Sequence, residues 1–152
     1  TLFRSILTEP LSDVLFSAFT RWFASDEVDL VLPVPLHRQK FRQRGFNQSY
    51  LLIRKWWQVA ARHNIRFPQE RVRSNLLVRV RKTRSQTTLS RQERLENVKN
   101  AFALTDTAAV EGKRVLVVDD VYTTGATVNE CARLLDINGA TRVDILTLAR
   151  VS

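Results

Sequence analysis

The chain has 152 residues, 44% of them hydrophobic and 26% charged, with a formal net charge of +9. That length and balance suit one domain, residues 1–152, with a core of its own, and no apolar run approaches a membrane span. A single cysteine, Cys131, excludes an internal disulfide and suits a reducing, cytoplasmic setting. The basic excess favours polyanionic partners, nucleic acid or phosphorylated substrates. The chain neither starts with Met nor contains one, and its first residues do not read as a signal peptide, so it reads as a piece of a longer protein.

Leu11, Val14, Leu15, Ala18, Phe19, Trp22 and Phe23 recur at helical spacing behind Pro10, predicting an amphipathic helix whose aromatics pack on a core. Residues 28–35, Val-Asp-Leu-Val-Leu-Pro-Val-Pro, predict a short buried strand ended by its prolines. Residues 37–48 are polar and cationic, broken by Gly45, and read as a basic loop. Phe46, Tyr50, Ile53 and Trp57 then resume helical spacing. Trp56 and Trp57 are adjacent, so on a helix they point different ways and at least one belongs to the core. His37, just past the prolines, is either near a bound base or a solvated loop residue, and His63 is structural.

Residues 75–80 predict a second strand, and the polar residues 81–90 a mobile loop. Ser90 with Glu93 makes a capping box that opens a short helix. Residues 101–104 predict a strand, 105–113 a surface connection and 115–118 a central strand. The helix over 125–136, which carries Cys131 as a packing residue, stops at Asn138-Gly139. Residues 143–149 form the last strand. Alternating strands and helices imply an α/β fold, an open parallel sheet covered on both faces.

The most informative stretch is Val115-Leu116-Val117-Val118-Asp119-Asp120-Val121-Tyr122-Thr123-Thr124-Gly125-Ala126-Thr127. A buried strand runs into two carboxylates, then a hydroxyl-rich turn with one glycine, then a helix N-terminus. Backbone N–H groups, threonine hydroxyls and a residue without a side chain are the parts of a phosphate cradle. Asp119 and Asp120 repel a phosphate but can accept hydrogen bonds from sugar hydroxyls or help hold a cation. An anion site beside a diol site suggests a ribose phosphate. No G-x-x-x-x-G-K-[ST] is present, so a P-loop is not supported.

These thirteen residues resemble the phosphoribosyl pyrophosphate (PRPP) signature of type I phosphoribosyltransferases. Two further stretches resemble the competence protein F-like (ComF/GntX) group of that superfamily. One is Pro33-Val34-Pro35-Leu36-His37 with Arg44-Gly45-Phe46-Asn47-Gln48. The other is Arg84-Ser85-Gln86-Thr87-Thr88-Leu89 followed by Arg91, Arg94, Asn97, Asn100 and Phe102. The resemblance implies that Asp119 and Asp120 are the catalytic pair on the ribose hydroxyls. Val121, Tyr122, Thr123, Thr124, Gly125, Ala126 and Thr127 would then hold the 5′-phosphate. Arg44 and Gly45 lie where the pyrophosphate loop should be. Arg81, Lys82 and Arg84 on a flexible hood loop would meet the pyrophosphate, with Mg²⁺ arriving on PRPP and no separate protein metal site. The acceptor base is unidentified, and turnover and PRPP sensing both fit. The resemblance also implies a link to DNA uptake in natural competence, with single-stranded DNA a further candidate partner. The cysteine-rich zinc module of the group is absent from this chain.

Overall fold

The computed structural model describes residues 6–24, 26–84 and 89–151. Its elements run α1 (Thr8–Trp22), β1 (Leu30–Pro33), α2 (Arg38–Arg44), α3 (Gln48–Ile53), α4 (Trp56–Arg62), β2 (Leu77–Arg79), α5 (Arg91–Val98), β3 (Phe102–Leu104), β4 (Arg114–Tyr122), α6 (Ala126–Ile137) and β5 (Arg142–Arg150). A parallel sheet ordered β1-β4-β5 lies at the centre. The α/β architecture, a parallel sheet flanked by helices, is the one the alternating pattern implies.

The strand period of two sorts β4 between two cores. Val115 and Val117 face Leu30 and Leu32 of β1 and Val128, Cys131 and Leu135 of α6. Leu116 and Val118 face the opposite way, against Phe16 and Phe19 of α1, Ile53 of α3 and Trp56 of α4. A strand buried on both faces reads as a continuous apolar run, which is why Val-Leu-Val-Val shows no alternation. On the second face the Trp56 ring lies 5.4 Å from Phe16, 5.1 Å from Phe19 and 5.8 Å from Phe67, mostly at tilted or edge geometries that aromatic quadrupoles favour. Ser12 donates its hydroxyl to the Leu52 carbonyl at 2.7 Å, tying α1 to α3. Trp57 points outward, as adjacency to Trp56 requires, but Trp22 and Val14 of α1 are also exposed, so the core stripe of that helix is narrower than its apolar pattern.

Two local expectations are corrected. Residues 38–44 are not loop but the helix α2. His37 caps it, its Nδ1 accepting the Gln39 N–H, and Gly45 ends it at φ +76. None of its residues is buried, so no apolar period marked it. Asn47 then opens α3 by accepting the Tyr50 N–H, and its amide donates to the Val34 carbonyl at 2.9 Å. The strand expected at 75–80 does not join the parallel sheet. β2 pairs antiparallel with β3 in a separate two-stranded ribbon. Hydrophobic pattern marks a strand but carries no information on its partner. The Ser90–Glu93 capping box is present with both of its hydrogen bonds. Residues 85–88 of the expected mobile loop lie outside the described residues.

Candidate functional site

β1 pairs with β4 only as far as Pro33 opposite Val118, whereas β4 continues against β5 to Tyr122. A cleft of about 270 Å³ opens at that step, and both Asp119 and Asp120 line it. Asp119 Oδ1 accepts the Ser49 hydroxyl at 2.9 Å and the Asp120 N–H at 2.9 Å. Asp120 Oδ1 accepts the Val121 N–H at 3.0 Å. Burial and the adjacent Asp120 charge push the Asp119 carboxyl up to about 7, against the pull of Ser49.

The facing wall is cationic. Lys40 and Arg44 stand one turn apart on α2, and Arg79 closes the end of β2. No carboxylate pairs with any of the three among the described residues. Desolvation, then the charges of Arg79 and Arg44, lower the Lys40 pKa. Arg79 donates to the Thr83 hydroxyl and lies over the Phe102 ring at 5.2 Å, while its buried Nε has no hydrogen-bond partner. Three close cations that no described carboxylate pairs directly make a place for a multiply charged anion, with the acid pair across the cleft.

A smaller cleft of about 140 Å³ adjoins, lined by Val121, Tyr122, Thr123, Gly125 and Ala126 and sharing Asp119 and Thr127 with the first. Gly125 caps α6 at φ +79. A Cβ there would meet the Tyr122 phenol, 2.8 Å from Cζ, so both backbone conformation and space demand glycine. The N-terminus of α6, with the positive end of its dipole, lies at this end. Thr124 serves the turn itself, its hydroxyl accepting the Ala126 N–H at 3.4 Å.

The structure thus brings Asp119, Asp120, Arg44 and most of residues 121–127 around two joined clefts. Other expected residues are elsewhere. Gly45 lines neither cleft. Arg81 donates to the carbonyls of Asn97 and Lys99 at 2.8 and 2.6 Å. Arg84 exchanges main-chain hydrogen bonds with the Asn97 side chain, and Lys82 is exposed. Lys40, Ser49, Arg79 and Thr83 escaped the sequence reading. The i, i+4 spacing of Lys40 and Arg44 was a usable signal once 38–44 is taken as a helix. Nothing local marked Ser49 or Arg79.

Among the described residues no group of three His, Cys, Asp or Glu could cage a metal. Two adjacent carboxylates are hard oxygen donors whose mutual repulsion a cation relieves. That set suits Mg²⁺ held mostly by the phosphates of a ligand.

Residues 65–152 match the family described as the phosphoribosyl transferase domain. DNA utilization protein YhgH of Escherichia coli O6:H1 is 39% identical over 125 residues, covering 80% of this chain and 49% of that protein. Competence protein F of Haemophilus influenzae is 35% identical over 126 residues, covering 80% and 50%. The chain spans about half the length of the curated relatives it matches. Among solved structures, glutamine phosphoribosylpyrophosphate amidotransferase from B. subtilis, complexed with ADP and GMP, superposes with a TM-score of 0.51 at 21% identity, over 91% of this chain and 25% of that one. That likeness concerns the fold. No helix among the described residues is long and apolar enough to cross a membrane.

Proposed function

The chain belongs to the phosphoribosyl transferase domain family, and we propose on that footing that its joined clefts bind PRPP with Mg²⁺ for transfer of the phosphoribosyl group to a nitrogenous base. The observation that carries the reading is the meeting of an acid pair, three cations that no described carboxylate pairs and a glycine-dependent turn at one strand end. The N–H groups and hydroxyls of residues 123–127 hold the 5′-phosphate. Asp119 and Asp120 accept hydrogen bonds from the 2′- and 3′-hydroxyls, with Ser49 fixing the Asp119 carboxylate.

Transfer breaks the bond between the anomeric carbon and a pyrophosphate oxygen and forms one to the acceptor nitrogen, which sheds its proton. Positive charge grows on the ribose ring beside the acid pair, and negative charge on the departing pyrophosphate beside Lys40, Arg44 and Arg79. Catalysis is then positioning plus fixed electrostatics. Bound with the pyrophosphate, Mg²⁺ supplies further neutralisation of the leaving group. Arg81 and Arg84 would reach the pyrophosphate only on releasing their bonds to the end of α5, and Lys82 is the exposed cation beside them.

Calorimetry of PRPP with and without Mg²⁺, on the native chain and on Asp119→Asn/Asp120→Asn, tests the reading. Saturable binding lost in the double variant supports it, and absence of binding to a folded native chain rejects it. The second reading is a non-catalytic PRPP sensor or single-stranded-DNA accessory protein. The +9 charge and the names of the relatives, DNA utilization protein and competence protein F, favour a place in handling imported DNA. Pyrophosphate release on adding a base separates the first reading from the second.

A further inference from the structure

A cleft of about 720 Å³ lies beside the acid-and-cation cleft and is not used by the proposed reaction. The two share Pro35, Leu36, Asn47 and Arg79, whereas the aromatic cleft shares no lining residue with the phosphate turn. The three clefts therefore form one trough: phosphate turn, then acid pair and cations, then the wide cleft. Beyond Arg79 its walls include His37, Arg38, Phe41, Tyr50 and Val80, and among the described residues no carboxylate lines it. Phe41 is 49% and Val80 58% exposed at its rim, apolar surface held open to water. Arg79 stands between the two clefts with a buried Nε that has no hydrogen-bond partner among the described residues.

The volume is that of a site for one small organic ligand. Aromatic walls suit a planar ring, and the cations at the inner end suit an attached phosphate. We propose that this cleft binds a free nucleoside 5′-phosphate, its base against Phe41 and Tyr50 and its phosphate reaching Arg79 and the adjoining Lys40 and Arg44. A phosphomonoester carries about 1.5 to 2 negative charges near neutral pH, against one for each diester of a strand, so three clustered cations select the free nucleotide. The base lies on the side from which pyrophosphate would leave, where a displacing acceptor cannot attack. The nucleotide is therefore a competitor of PRPP, not its acceptor. The inference draws on the cations of the proposed PRPP site, but on neither its acid pair nor its turn.

The test is calorimetry of AMP, GMP, CMP and UMP on the native chain and on Phe41→Ala, with displacement by inorganic pyrophosphate and by ribose 5-phosphate. At least one nucleotide should bind, and Phe41→Ala should weaken it about tenfold or more, the scale of one base–aromatic stack. Pyrophosphate should displace it, and ribose 5-phosphate should not. Failure of all four to bind the folded native chain at about 1 mM overturns the proposal. So does binding that Phe41→Ala leaves intact, or that ribose 5-phosphate abolishes, since the ligand would then sit in the phosphate turn. Phe41-dependent binding of a short oligothymidylate without any mononucleotide overturns it in favour of a strand. Phe41 is a half-exposed residue of a surface helix, and circular dichroism checks that the variant folds. PRPP is titrated separately: nucleotide binding of the expected kind without PRPP binding rejects the PRPP reading alone.

Discussion

Ser49 on α3 donates its hydroxyl to Asp119 Oδ1 on β4 at 2.9 Å, across 70 residues of sequence. The bond holds one carboxylate of the acid pair and favours its charged form against the Asp120 repulsion. Ser49→Ala should raise the Asp119 pKa further and weaken PRPP by about 1 kcal/mol, about fivefold. Titrations between pH 6 and 9 check this, because the midpoint of PRPP binding should move to higher pH in the variant.

Asp119 also links stability to pH. Its carboxyl titrates near about 4 in an unfolded chain and at about 7 in the folded one. The folded state holds the extra proton, so stability falls as pH rises from about 4 to about 7 and is level above that. Asp119→Asn should remove this fall. Solvent reaches the mouth of the cleft, so the gain is about 1–2 kcal/mol above pH 7 rather than the full shift, and it vanishes below pH 4. Urea denaturation at several pH values measures it. A variant that is more stable yet loses PRPP is the expected signature of a strained functional acid.

Gly125→Ala places a side chain at φ +79 against the Tyr122 ring. The left-handed backbone alone costs about 1 kcal/mol for alanine, and displacement of Tyr122 adds to it. Thermal melting should fall by several degrees, and PRPP affinity should drop with the turn's geometry. Added to Tyr122→Ala, Gly125→Ala should cost only the backbone part, because the ring it would meet is gone. Equal costs of Gly125→Ala with and without Tyr122→Ala would show that no clash exists.

At the opposite end of β4, Arg114 grips Asp29. Its Nε lies 3.0 Å and its Nη2 2.9 Å from the two carboxylate oxygens, and its N–H adds a third bond at 2.8 Å. These hydrogen bonds hold the Asp29 carboxyl down at about 2. The pair's stabilisation is therefore present above about pH 4 and is lost as pH falls toward about 2. Both groups are partly exposed, so Asp29→Asn should cost about 1 kcal/mol at pH 7. Urea midpoints of the two proteins should converge near pH 2; a difference that persists there would mean the loss is not electrostatic.

Amino-acid order alone determined what is contained within one element or one turn. The apolar run 115–118, the acid pair and the Thr-Thr-Gly-Ala-Thr turn are contiguous, so their strand–site–helix arrangement was legible without a fold. The Ser90–Glu93 cap was legible for the same reason, since its partners lie three residues apart. Helix α2 was not, because a short helix that buries nothing has no apolar period to read. Only the tertiary structure decided which cations face the acids. Arg44 and Lys40 stand at the cleft because Gly45 and Asn47 turn the chain between α2 and α3. Arg79 stands there because β2 leaves the main sheet to pair with β3. Arg81 and Arg84, equally basic in sequence, are tied instead to the end of α5. Charge belongs to a residue, but the neighbour it acts on is set by chain crossings that no local window contains.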